Sequence, residues 1–199
     1  TLGNYVFANC YSLKELNLGK NTESVGDRLL SSQEYKTPMS ITKLILPDNL
    51  KAIGKNIYGY NDSYQTAVSV LEISADAETV SSVFYNRATL SEINVAEGGK
   101  NYSSDKGVLY TADKKELIKV PSSTPLKIYT VCDGTESIAD NAFSNSALTV
   151  INVSDSVKTL GNYVFANCYS LKELNLGKNT ESVGNGLLSS QAYKTPMSI

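Results

Sequence analysis

TLGNYVFANCYSLKELNLGKNTESVG fills residues 1–26 of this 199-residue chain, and the same letters return at residues 159–184. The match runs on, from 1–41 onto 159–199, with three differences. Asp27 faces Asn185, Arg28 faces Gly186 and Glu34 faces Ala192. So long a self-match prompts a search for shorter periods inside it. LKELNL, starting at Leu13, has apolar residues at its first, fourth and sixth places. The pattern recurs at Ile41 (ITKLIL), Val68 (VSVLEI), Leu90 (LSEINV), Leu126 (LKIYTV), Leu148 (LTVINV) and Leu171 (LKELNL), and an eighth copy opens at Ile199.

Other columns align without adjustment. Eight residues after each start stand Asn21, Asn49, Asp76, Gly98, Gly134, Ser156 and Asn179, all turn formers. Twelve after stand Val25, Ile53, Val80, Tyr102, Ile138, Leu160 and Val183. Thirteen after stand Gly26, Gly54, Ser81, Ser103, Ala139, Gly161 and Gly184, all small. The steps between starts are 28, 27, 22, 36, 22 and 23 residues. The long duplication is therefore a block of six short repeats copied in register. An array accepts such a copy because each repeat needs only its neighbours.

Each copy starts with a short alternating segment, such as Leu16-Asn17-Leu18, which reads as a strand with one buried face. Val6, Phe7, Cys10 and Leu13 then stand at near-helical spacing, as do Val164 and Phe165 in their copy, and this predicts one short helical turn facing inward. Strands joined by return segments of this length run parallel. The expectation is an α/β solenoid spanning 1–199 as a single array cut from a longer one. It has a parallel sheet of about seven strands on one side and helical turns on the other. Both ends interrupt a repeat, so apolar edges are expected there. The long step from Leu90 to Leu126 holds KGVLYTADKKELIKV, which predicts a β-hairpin near 106–120 within an insertion at about 104–121. Its reading is open between a flap that shields the sheet and a ledge that shapes a ligand surface.

IADNAFSNSALTVINVSDSVKTLGNYVFANCYSLKELNLGKNTESVG, residues 138–184, resembles the BspA-like class of bacterial leucine-rich repeats, with their A-F, C and L-x-x-I-x-I positions. KGVLYTADKKELIKVP, residues 106–121, is similar to a hairpin segment often interposed in that family. The likeness covers essentially the whole chain. It is weakest at 26–40 and 55–67, where Leu29-Leu30 and Ile57-Tyr58 replace the A-F pair. The resemblance implies a bacterial cell-surface or secreted location and a role in adhesion or host-protein contact. It transfers no catalytic residue.

The bulk numbers exclude several classes. Net charge is −2 with the two signs interspersed, which gives no basic footprint for nucleic acid. No apolar run reaches the length of a membrane span, so no membrane insertion is expected. The chain contains no His, the commonest general base and metal ligand. Cys10 and Cys168 occupy one repeat position six copies apart and cannot pair, while Cys132 stands in another column. Cys10 and Cys168 are expected as buried, inert thiols, with no metal and no cofactor. Glu72 and Glu92 stand on adjacent strands, within the reach of a paired-carboxylate hydrolase, but no other signal points to a cleft and no catalytic residue is assigned.

The open face of the sheet remains. Its outward positions are Glu15, Asn17, Lys43, Ile45, Val70, Glu72, Glu92, Asn94, Ile128, Thr130, Val150, Asn152, Glu173 and Asn175, a mixed surface with an apolar patch at Ile128 and Val150. Tyr60 and Tyr64 in YGYNDSY are weaker candidates, since Tyr offers a flat apolar ring with a hydroxyl. The expected activity is non-enzymatic: a monomeric surface module that meets an extracellular protein or glycan of a host or neighbouring cell. The alternative is a spacer that holds other domains off the cell surface, and a plain solvated face would serve it.

Overall fold

The computed structural model describes residues 1–31, 41–54, 57, 68–80 and 89–189. Two units stand out, Thr1–Tyr102 and Ser103–Ile199, and each is a β-solenoid with parallel sheets.

In the first unit, strands Glu15–Asn17, Lys43–Ile45, Val70–Ile73 and Glu92–Val95 pair side by side, all parallel. The register places Leu16, Leu44, Leu71 and Ile93 in one inward row, each buried. In the second unit, strands Ile128–Thr130, Val150–Asn152 and Glu173–Asn175 pair in the same manner, with Tyr129 and Ile151 buried beneath them. All seven expected strands form, four in a sheet of one unit and three in a sheet of the other.

Each unit adds a second parallel sheet where the apolar-small column of the sequence stands. Strand Ser24–Val25 pairs with Ala52–Ile53 in the first unit. In the second, Ser137–Ile138, Thr159–Leu160 and Ser182–Val183 follow one another. The small residue beside each strand has a steric reason. A Cβ built on Gly54 would run into the backbone of Gly26 and Asp27, and one on Gly184 into the backbone of Gly161.

The expected helical turns do not form: among the described residues there is no helix, so the α/β description is corrected to β-solenoid. The reason lies in where the amides bond. Tyr5, Asn9, Asn141, Asn145, Tyr163 and Asn167 all take positive φ, between 56° and 60°. That left-handed backbone interrupts a right-handed helix, and Asn adopts it at low cost. Every second amide then turns to the next copy. Tyr5, Phe7 and Asn9 donate to the carbonyls of Asp27, Leu29 and Ser31, each at 3.0 Å, while Ala8 between them donates back to Tyr5 at 2.9 Å. Asn141, Phe143 and Asn145 repeat the ladder onto Asn162, Val164 and Ala166. A helix would spend these donors within the segment; here they stitch coil to coil.

The hairpin forms, in a larger setting than expected. Strands Tyr102–Asp105, Val108–Thr111 and Glu116–Lys119 make a meander, with Val108–Thr111 and Glu116–Lys119 antiparallel. Lys106 and Gly107, both at positive φ, supply the two-residue turn that suits a right-twisted hairpin. At the second turn the Asp113 carboxylate accepts from the Thr111 hydroxyl (2.7 Å) and the Lys115 amide (3.0 Å). Glu116–Lys119 pairs parallel with Ser137–Ile138, so the meander is spliced into the second sheet and supplies three of its six strands, Tyr102–Asp105 being the outermost.

The core of the second unit runs through Tyr129, Phe143 and Phe165. The last two rings stand 5.3 Å apart. The hydroxyls of the buried Tyr110 and Tyr129 bond to each other at 2.7 Å, and burial pushes both phenols above their ordinary range. Tyr110→Phe leaves the Tyr129 hydroxyl without this partner in the core and is expected to cost about 1–3 kcal/mol. The double Phe variant should recover the part of the loss that comes from the stranded Tyr129 hydroxyl, but not the part from the Cys132 amide, which also loses its acceptor. Denaturant midpoints of the two variants check this, and a double variant no better than the single would contradict it.

The duplicated stretch provides an internal control on what buries a residue. Val6 is 44% exposed and Val164 is buried, although the letters around them are the same. The order reverses at Val25, which is buried, and Val183, 50% exposed. The neighbouring copy, not the segment, decides.

Candidate functional site

Two outward rows run across the sheet of the first unit. Glu15, Lys43, Val70 and Glu92 stand opposite one another, and so do Asn17, Ile45, Glu72 and Asn94. They face out because alternation on a three- or four-residue strand sends their neighbours Leu16, Leu44, Leu71 and Ile93 into the core. Glu15, Asn17 and Glu92 are exposed and the other five half-buried. Lys43 Nζ lies 3.4 Å from Glu72 Oε1, and Asn94 Nδ2 donates to the same oxygen at 3.4 Å. Glu72 is thus held by a cation and an amide from the strands on either side of it. Glu92 stands opposite Val70 instead, so the two carboxylates occupy diagonal places, and the register does not set them face to face.

In the second unit the rows are Ile128, Val150 and Glu173, then Thr130, Asn152 and Asn175. The second row is a hydrogen-bonded ladder. Asn152 donates to the Thr130 hydroxyl at 3.2 Å, and Asn175 donates to Asn152 Oδ1 at 2.8 Å and to Glu173 Oε1 at 2.8 Å. Beside it stands the expected apolar patch. Ile128 is 59% exposed, directly opposite the half-buried Val150. The face therefore offers a fixed amide row flanking an uncovered aliphatic side chain. The structure places the fourteen sheet residues on two faces, eight in the first unit and six in the second. Tyr60 and Tyr64 lie outside the described residues.

The cysteines divide. Cys168 is buried, its thiol donating to the Phe143 carbonyl at 3.1 Å, and burial pushes it up to about 11. Cys10, expected to be buried, is half-buried, because the coil that covers Cys168 has no counterpart over Cys10 among the described residues. Cys132 is half-buried as well, its amide donating to the Tyr110 hydroxyl at 3.4 Å. Among the described residues no group of His, Cys, Asp and Glu is placed to hold a metal ion. No helix among them is long and apolar enough to cross a membrane.

Sequence reasoning missed Lys119. Its ammonium donates to the Asn141 carbonyl at 2.7 Å and the Ser144 hydroxyl at 3.2 Å. Lys119 is part-buried, and burial pulls its ammonium down from 10.5 to about 8. The signal was available: on a strand, Lys119 shares a face with Leu117, which is buried. A lowered folded value means that the unfolded chain binds the extra proton between pH 8 and 10.5, so this group makes stability rise with pH there. The raised Cys168 thiol acts in the opposite sense, from its ordinary 9.0 up to about 11. The net rising limb falls between pH 8 and 9. Wild-type urea midpoints should climb across that window and those of Lys119→Met should stay flat. A wild-type profile without the climb would reject the buried ammonium.

The profile of the BspA type leucine rich repeat region matches this chain in six copies, over residues 1–106 and 121–195. A comparison with curated proteins finds no match. Three solved structures share the fold. The pneumococcal vaccine antigen PcpA aligns at TM-score 0.61 and 17% identity, over 89% of this chain and 57% of its own. A leucine-rich repeat protein from Eubacterium ventriosum aligns at 0.55 and 19%, over 89% and 58%. A leucine rich cell surface protein from Faecalibacterium prausnitzii aligns at 0.52 and 21%, over 90% and 40%. The chain thus spans 40–58% of these relatives' length.

Proposed function

The chain belongs to the BspA type leucine rich repeat family, and on that premise we propose that it is a non-catalytic binding module of a bacterial surface or secreted protein. Its ligand is a protein or glycan outside the cell, met by the outward sheet face. One observation carries this reading: the uncovered Ile128 beside the Thr130–Asn152–Asn175 ladder. A fixed row of amides and hydroxyls next to an exposed aliphatic side chain supplies both hydrogen-bond partners and apolar area, the mixture that recognition surfaces use. Support for the location comes from relatives described as a vaccine antigen and a cell surface protein.

The spacer reading rests on the same ladder, since amides that bond one another have less need of a ligand. Glycan arrays and immobilised extracellular-matrix proteins separate the two. On the binding reading, Ile128→Glu combined with Asn152→Ala should weaken capture of any ligand found by at least about tenfold, roughly 1.4 kcal/mol, with an unchanged melting temperature. Capture that survives the double change would remove the sheet face from the account.

A further inference from the structure

One of the three differences between the duplicated stretches falls against a tyrosine ring. Arg28 of the first copy lies on Tyr5, and Gly186 of the second lies on Tyr163. The backbone that holds the two rings is the same. The Tyr5 amide donates to the Asp27 carbonyl at 3.0 Å, and the Tyr163 amide to the Asn185 carbonyl at 2.8 Å. Tyr5 and Tyr163 take φ of 59° and 56°, and Arg28 and Gly186 take 55° and 63°. In the first copy the Arg28 guanidinium stands 5.5 Å from the centre of the Tyr5 ring and donates to its hydroxyl. In the second copy that side chain is missing. A Cβ on Gly186 would stand 2.5 Å from Tyr163 Cε1, so the ring leans over the glycine, and Tyr163 stays 47% exposed. Among the described residues the Tyr163 hydroxyl has no hydrogen-bond partner. Coils stand on both sides of it: Asn141 and Phe143 bond to its coil from one side, and Leu187 accepts from Phe165 on the other.

We propose that the Tyr163 ring receives an arginine side chain of a partner protein, in the part that Arg28 plays at Tyr5. The molecule itself shows the chemistry that this ring accepts. A guanidinium is drawn to the negative face of the ring, and being planar and weakly hydrated it stacks there more readily than an ammonium. The Tyr163 hydroxyl offers the acceptor that the Tyr5 hydroxyl offers to Arg28.

The charges nearby act in both directions. Asp140 in the preceding coil is exposed, and its carboxylate accepts from the Asn162 amide at 2.6 Å and from the Asn162 side chain at 3.2 and 3.3 Å. A carboxylate has about four acceptor sites, so capacity remains for a guanidinium. Against it stands the Lys119 ammonium, held on the Asn141 carbonyl at 2.7 Å. A sugar also stacks on tyrosine, but the filled copy carries a cation and Asp140 favours one. Tyr163 belongs to a turn segment and not to the sheet, so this site does not depend on the outward sheet face.

Nuclear magnetic resonance of the full chain, labelled on its tyrosine rings, tests the site. The probes are N-acetylarginine amide, N-acetyllysine amide and methyl glucoside, and the loss of signals in Tyr163→Leu identifies the ring. The arginine compound should shift the Tyr163 signals saturably, and the lysine compound should bind more weakly. Gly186→Arg restores the missing side chain and should weaken arginine binding by about tenfold or more, with an unchanged melting temperature. Asp140→Asn keeps an acceptor for Asn162 and should weaken it by about threefold. Ile128→Glu combined with Asn152→Ala should leave it as it is. A Tyr163 ring that does not respond to the arginine compound overturns the proposal. So does one that responds as well to the lysine compound or to methyl glucoside, and so does arginine binding indifferent to both Gly186→Arg and Asp140→Asn.

Discussion

Phe165→Ala is expected to lower stability by about 3–5 kcal/mol, and Phe7→Ala by roughly 1–2 kcal/mol, although the two phenylalanines sit in identical sequence. Phe165 is fully buried, its ring 5.3 Å from Phe143, which in turn packs on Tyr129. Removing it leaves a cavity that stacked coils cannot collapse without shifting their ladders. Phe7 is half-buried, so part of its surface is already wet and a smaller cavity results. At Val25 and Val183 the order reverses, with Val25→Ala the costlier change. Because repeats need not unfold in one step, hydrogen exchange read copy by copy is the better measurement, with urea midpoints beside it. Equal losses within either pair would mean that the segment itself, not the adjoining copy, supplies the core.

Gly54→Ala is expected to cost about 3 kcal/mol or more, at the upper end of overpacking changes. The added methyl has no rotamer by which to escape. It would overlap backbone atoms of Gly26 and Asp27, and those atoms belong to a ladder in which Gly54 itself donates to the Val25 carbonyl at 2.7 Å. Relief requires the two coils to part, which lengthens the bonds of the strands beside them. Gly3→Ala is the control, because a Cβ there meets nothing within 4 Å. It should be neutral or slightly stabilising through the reduced freedom of the unfolded chain. Thermal melts of the two variants decide, and a Gly54→Ala protein as stable as Gly3→Ala would remove the close approach of coils as the reason for the small column.

The first-sheet strands were legible because period-2 alternation is local. Leu16 and Ile93 announce their burial through the polar residues on either side, and Leu44 and Leu71 through one polar neighbour each, Lys43 and Glu72. The second sheet was half-legible. Its residues appeared as an apolar-small column, but a strand of two residues, such as Ser24–Val25, has no alternation to read. The helical turns were misread for a physical reason. Val6, Phe7, Cys10 and Leu13 do face inward together in a covered copy, but that spacing is shared by a helix and by a chain of turns. Asn9, Asn141, Asn145 and Asn167, tolerant of left-handed backbone, were the discriminating letters. At the candidate site, alternation named the outward residues but not their mutual bonds. The grip of Lys43 and Asn94 on Glu72 depends on register across strands 27 and 22 residues apart, which one strand's sequence does not encode.

The turn segments that hand every second amide to the following copy also set how a unit responds to tension. Their bonds, like those of both sheets, lie along the direction in which coils stack, so a pull on the two ends of a unit loads them in series. Bonds loaded that way peel apart in succession, a few at a time, where sheared strands would resist together. A coil of 22 to 28 residues, the length of every step but the one from Leu90 to Leu126, frees about 70–100 Å of slack at full extension when it lets go. A pull along the stacking direction is therefore expected to open such a unit coil by coil.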